Sequence, residues 1–154
     1  MYQKILVPID GSGTAAAGLE EAIKLARLCG ARLRLLHIVD ELSLVLGTGC
    51  GAAHVGDIFD LLREGGATIL REAQAQVQAA GVAVDTVLSD NLHGGVCEQV
   101  VQQALDWKAE LIVLGTHGRR GTRRLFFGSD AENILRQAPV PVLLIRATAP
   151  AAPA

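Results

Sequence analysis

Apolar residues along this chain follow two alternating rhythms. Short runs with almost no polar break, "QKILVPI" at 3–9, "RLRLLHIV" at 32–39, "VAVDTVL" at 82–88, "ELIVL" at 110–114 and "VPVLLIR" at 140–146, predict five strands. Between them, apolar residues recur three or four apart. Ala15, Leu19, Ala22, Ile23 and Ala26 predict a helix over 14–28, with Gly30 just past its end. A second helix is predicted over 58–80 and closed by Gly81, with the pair Gly65 and Gly66 expected to weaken or kink its middle. Val96, Val100, Ala104 and Trp107 share one face of a helix over 96–107, and a short helix is predicted over 129–137. The span 41–57 holds four glycines and no period, and reads as a long mobile loop.

Strand and helix alternate throughout, which points to an α/β fold with a parallel sheet covered on both faces. Right-handed crossovers then favour a doubly wound five-stranded parallel sheet. With strand order 3-2-1-4-5, the topological switch point lies between strands 1 and 4, and ligands of such folds bind there. Asp10 and Gly11 end strand 1 and Gly115 ends strand 4, so both polar, glycine-rich segments flank that crevice.

Composition sharpens the picture. Half of the 154 residues are hydrophobic but only 3% are aromatic, so the core is built from Leu, Val, Ile and Ala. One domain over 1–147 is expected, with an Ala/Pro-rich disordered tail at 148–154. A net charge of -2 argues against a nucleic-acid polycation. No apolar run approaches the roughly 20 residues of a membrane span. The first residues enter a strand at once without a leader pattern, and Cys29, Cys50 and Cys97 form no CxxC, which suggests reduced thiols in the cytoplasm.

The candidate chemistry lies in "GTHGRRGTRRLFFGS", residues 115–129, which carries four arginines and no acid. Its glycines permit close backbone approach to a ligand. Gly128 and Ser129 open a helix, whose N–H groups and dipole favour an anion. Asp10, at the opposite side of the crevice, has two open roles: accepting hydrogen bonds from a ribose or base edge, or capping the first helix. His117 lies in the loop, where contact with a phosphate and plain solvent exposure are both open. His37 reads as a core or rim residue of its strand. The four histidines are dispersed and form no ligand cluster. No P-loop and no G-x-S-x-G elbow is present, and "GSGTAA" at 11–16 is a weak dinucleotide fingerprint that Asp10 would crowd. With no poised base, metal pair or nucleophile in view, fast catalysis is not supported.

"KILVPIDGS", "LHIVD" and "LIVLGTHGRRGTRRLFFGSDAENILRQAPVPVLLIR" together resemble the universal stress protein family over nearly the whole chain. The pattern G-x₂-G-x₉-G-[ST] of its ATP-binding branch falls on Gly115, Gly118, Gly128 and Ser129. The resemblance implies a Rossmann-like fold of the adenine nucleotide alpha hydrolase type and an ATP site at the switch point. Pro8, Ile9 and Asp10 would lie near adenine and ribose, Val39 against adenine, and Leu114 in the base pocket. Gly115, Gly118, Arg119, Gly128, Ser129 and Asp130 would surround ribose and phosphates, with Thr116 and His117 in the same loop. Mg²⁺ or Mn²⁺ could accompany the phosphates. The resemblance further implies a homodimer through the last strand, 140–146, and a regulatory role in stress response with an unknown protein partner. A slow ATPase and a nucleotide-free interaction protein are the alternatives. Asp130 departs from what a phosphate site favours, unless it points away or holds a metal.

Overall fold

The computed structural model describes residues 1–40, 55–90, 94–116 and 129–146. The elements are β1 (Lys4–Pro8), α1 (Gly13–Cys29), β2 (Arg32–Val39), α2 (Val55–Ala79), β3 (Val84–Asp90), α3 (Val96–Trp107), β4 (Leu111–Gly115), α4 (Ser129–Gln137) and β5 (Val142–Ile145). The strands form one all-parallel sheet in the order β3-β2-β1-β4-β5. This is the doubly wound arrangement that the alternation predicts.

Strand residues alternate between two apolar faces. Ile5, Val7, Leu33, Leu35, Leu111 and Val113 pack against Leu19, Ala22 and Ala26 of α1 and Leu70, Ala73 and Val77 of α2. Leu6, Leu36, Ile112 and Leu114 face the other way, onto Cys97, Val100, Ala104 and Trp107 of α3 and Ile134 of α4. Burial on both faces is why the strands read as unbroken apolar runs. Each fully buried Leu, Ile or Val contributes about 1.5–3 kcal/mol relative to exposure.

Helix ends follow local chemistry. Ser12 caps α1 by accepting the Ala15 N–H, and Gly30 closes it at φ 67°. Lys108 takes the same left-handed role after α3, at φ 56°. Three expectations need correction. The span 41–57 is not all loop: α2 begins at Val55, and Asp57 in its first turn suits the helix dipole. Residues 41–54 lie outside the described residues. β3 runs from Val84 to Asp90 rather than over 82–88, because the Val82 N–H is given to the Val77 carbonyl at 3.2 Å to finish α2. β5 is limited to Val142–Ile145, since Pro139 and Pro141 have no N–H for a ladder.

The pair Gly65 and Gly66 does not interrupt α2, which is continuous over 25 residues. Gly66 is buried against β2 and β3. A Cβ there would lie 2.6 Å from His37 Cδ2 and 2.9 Å from Leu88 Cδ1. The glycine costs the helix about 1 kcal/mol relative to alanine, and in return lets α2 close over the imidazole.

Candidate functional site

The strand order puts the C-terminal ends of β1 and β4 side by side at the point where the winding reverses. β1 leaves the sheet through Ile9, whose N–H donates to Leu36 O at 2.8 Å. Asp10 comes next, and its Oδ1 accepts the Ser12 N–H at 2.9 Å. Gly11 sits at φ +79°, a conformation that favours glycine. Ser12 Oγ then accepts the Ala15 N–H at 3.2 Å and lies 3.1 Å from Thr14 Oγ1. "DGSGT" is thus a hydrogen-bonded turn that delivers the N-terminus of α1 to the crevice. The helix cap is Ser12, and Asp10 braces the turn in front of it.

On the other side, β4 ends in Leu114, Gly115 and Thr116. Leu114 and Thr116 are buried, and the Thr116 N–H donates to Ile145 O at 2.9 Å. Gly115 has a structural duty that the sequence does not reveal. A Cβ there would lie 2.5 Å from Thr14 O and 2.9 Å from Ala15 N. From α1, Gly18 returns the approach: its Cβ would meet Gly115 N at 3.3 Å. The first turns of α1 therefore lie on the end of β4 with no side chain between them. Ile9 is buried on the α1 and α2 face of the sheet, and Leu114 on the α3 and α4 face.

Pro8, Ile9, Asp10, Leu114, Gly115 and Thr116 are thus brought together at the ends of adjacent strands. Val39, also buried, ends β2, one strand further out. Ser129 and Asp130 are exposed and open α4. His117, Gly118, Arg119 and Gly128 lie outside the described residues, as do the other loop arginines.

Charge differs between the helices that start at this end. The first turn of α1 has no acid, whereas Asp130 and Glu132 open α4. Cys97 lies in the first turn of α3. Burial, with Glu98 and Asp130 adding their negative charge, raises its thiol above the ordinary value. Cys97 is therefore held as the neutral thiol and not primed as a nucleophile. Among the described residues, no group of three His, Cys, Asp or Glu side chains could hold a metal ion.

The residue undervalued from sequence is His37. It is buried, as expected of a core histidine, yet its Nδ1 lies 2.8 Å from the Ile9 carbonyl at the mouth of the crevice. A histidine within the apolar stretch 35–39 was the available signal, paired with the glycines in the middle of α2.

The fold is that of a known class. The universal stress protein family model matches residues 1–146. A universal stress protein of Methanocaldococcus jannaschii is 32% identical over 146 residues, covering 95% of this chain and 83% of the relative. The chain belongs to the universal stress protein family. A solved family structure from Burkholderia pseudomallei is 35% identical with a TM-score of 0.77, covering 95% of this chain and 97% of that one. An Archaeoglobus fulgidus universal stress protein in complex with dAMP is 25% identical, with a TM-score of 0.65 and coverage of 94% and 98%. A universal stress protein in complex with cAMP is also 25% identical, with a TM-score of 0.67 and coverage of 93% and 96%.

Proposed function

We propose that this chain binds an adenine nucleotide, ATP above all, in the crevice between β1 and β4, and serves in the cytoplasm as a nucleotide-dependent regulator of stress response. One observation carries the reading. At the chain's topological switch point the Asp10–Ser12 turn delivers the acid-free N-terminus of α1 to the end of β4. Ligands of doubly wound folds bind at such a switch point, and helix N-termini favour phosphates. The dAMP and cAMP complexes of relatives support an adenine nucleotide as the ligand class.

In this reading Asp10 accepts hydrogen bonds from ribose, and Pro8, Ile9, Val39 and Leu114 supply apolar contact to the base. The glycine pattern of 115–129 cradles the phosphates, with Mg²⁺ or Mn²⁺ bound through the phosphate oxygens. Ser129 at the head of α4 adds a hydroxyl donor. Two copies pair through β5, which is a sheet edge with Leu143 exposed.

A thermal-unfolding scan tests the proposal. ATP·Mg²⁺ at about 100 times its dissociation constant adds roughly 2.7 kcal/mol, a rise in Tm of roughly 5–10 °C for a chain of this size. AMP should give a smaller rise and NAD none. Nucleotide-free protein that ignores ATP would contradict the reading.

A further inference from the structure

His37 lies on the side of β2 that faces α2, two residues before the strand ends, and is 6% exposed. Its Nδ1 is 2.8 Å from the Ile9 carbonyl oxygen. A carbonyl can only accept, so Nδ1 carries the proton. The bond begins where the backbone ladder stops. Pro8 and Leu36 are the last registered pair of β1 and β2, and the Ile9 N–H is already given to Leu36 O. The Ile9 carbonyl is then held by a side chain of the neighbouring strand. Directly beyond it, Asp10 Oδ1 receives the Ser12 N–H. The Ile9–Asp10 peptide is thus anchored on both sides at the point where the chain turns into the crevice.

The opposite edge of the ring rests on α2. A Cβ on Gly66 would lie 2.6 Å from His37 Cδ2 and 3.0 Å from Nε2. Any larger residue at 66 would displace the ring from its place between α2 and the Ile9 carbonyl. An apolar residue at 37 could fill the same space but could not bond the Ile9 carbonyl.

From this geometry we infer that His37 is a positioning residue for the nucleotide site: it fixes the Ile9–Asp10 peptide and so aims the Asp10 carboxylate at the ligand, while Gly66 leaves room for the ring. The inference rests on the proposed nucleotide reading for its ligand, but not for its geometry. His37 itself touches no ligand in this account and acts through Asp10.

The test combines two readouts on wild type, His37→Leu, His37→Asn, Gly66→Ala, Asp10→Ala and the double variant His37→Leu/Asp10→Ala. The first is amide exchange in the nucleotide-free protein. His37→Leu should speed exchange of the Ser12 amide tenfold or more and leave Leu6 and Val7 protected. His37→Asn, whose amide can donate to the same carbonyl, should restore protection. Gly66→Ala should loosen the same amide although it removes no donor, and it stands in if His37→Leu does not fold.

The second readout is affinity for dAMP and ATP·Mg²⁺ by calorimetry. His37→Leu should weaken binding about tenfold, His37→Asn should recover most of it, and the double variant should bind no worse than Asp10→Ala alone. Unchanged Ser12 exchange in both His37→Leu and Gly66→Ala overturns the inference, as does additivity in the double variant. Changed exchange in variants of a wild type that binds no nucleotide would sustain the positioning role and sink the proposed function instead.

Discussion

The two ends of the sheet are held together by different means. At the N-terminal end, long side chains satisfy one another. Arg34 lies 4.7 Å from the Trp107 ring centroid and makes a forked bond to Asp85, with Nε at 2.6 Å and Nη2 at 3.2 Å. Lys4 donates to the Trp107 carbonyl at 3.0 Å, and the Gln3 N–H donates to Glu110 at 2.6 Å. At the C-terminal end, the close contacts are backbone on backbone, made possible by Gly18 and Gly115, and a short polar turn leads into α1. The first end is locked by groups that fill one another's hydrogen-bonding capacity. The second presents two helix starts and the Asp10 turn, features a ligand can use. Both ends belong to the same strands, so the difference comes from the residues that enter and leave the sheet.

Each end can be disturbed separately. Replacing Trp107 with Ala removes the centre of the N-terminal cluster and should cost about 3–5 kcal/mol in urea unfolding. Its response to nucleotide in a thermal scan should survive, and loss of that response with an intact fold would join the two ends. Gly115→Ala places a methyl against the α1 backbone, which is hard to move. It should cost about 1–3 kcal/mol, and a neutral result would mean that α1 does not lie so close to β4. Ser12→Ala removes the cap of α1 and should cost about 1 kcal/mol, read from the same unfolding curves.

The smallest effect concerns Cys97, whose neutral thiol is favoured in the fold. Where both folded and unfolded thiols are protonated, it adds no pH dependence. As pH rises above the ordinary thiol value, the unfolded chain ionises first and the native state loses stability until its own raised value is passed. Cys97→Ala should flatten that alkaline decline. An equal decline in both proteins would remove the burial argument.

Fold order was legible because burial on both faces leaves strands as apolar runs, and because Gly30 after α1 is written locally; the cap itself was not, since Asp10 was the candidate and Ser12 takes the role. The start of β3 was not, since whether Val82 finishes α2 or begins a strand depends on a single N–H. The start of α2 was hidden by the glycine-rich stretch in front of it. Gly115 was found for an incomplete reason: its sequence context suggested room for a ligand, whereas the space at its Cβ belongs to α1. The His37–Ile9 bond spans 28 residues and could not be read from any local pattern.

The most direct test of a ligand site at the C-terminal end tracks backbone amide signals while ATP·Mg²⁺ is added. Among the described residues, shifts should cluster at 9–12, 39, 114–116 and 129–131, with Trp107, Arg34 and Asp85 unmoved. Shifts centred on the Trp107 end, or none at saturating nucleotide, would contradict the assignment.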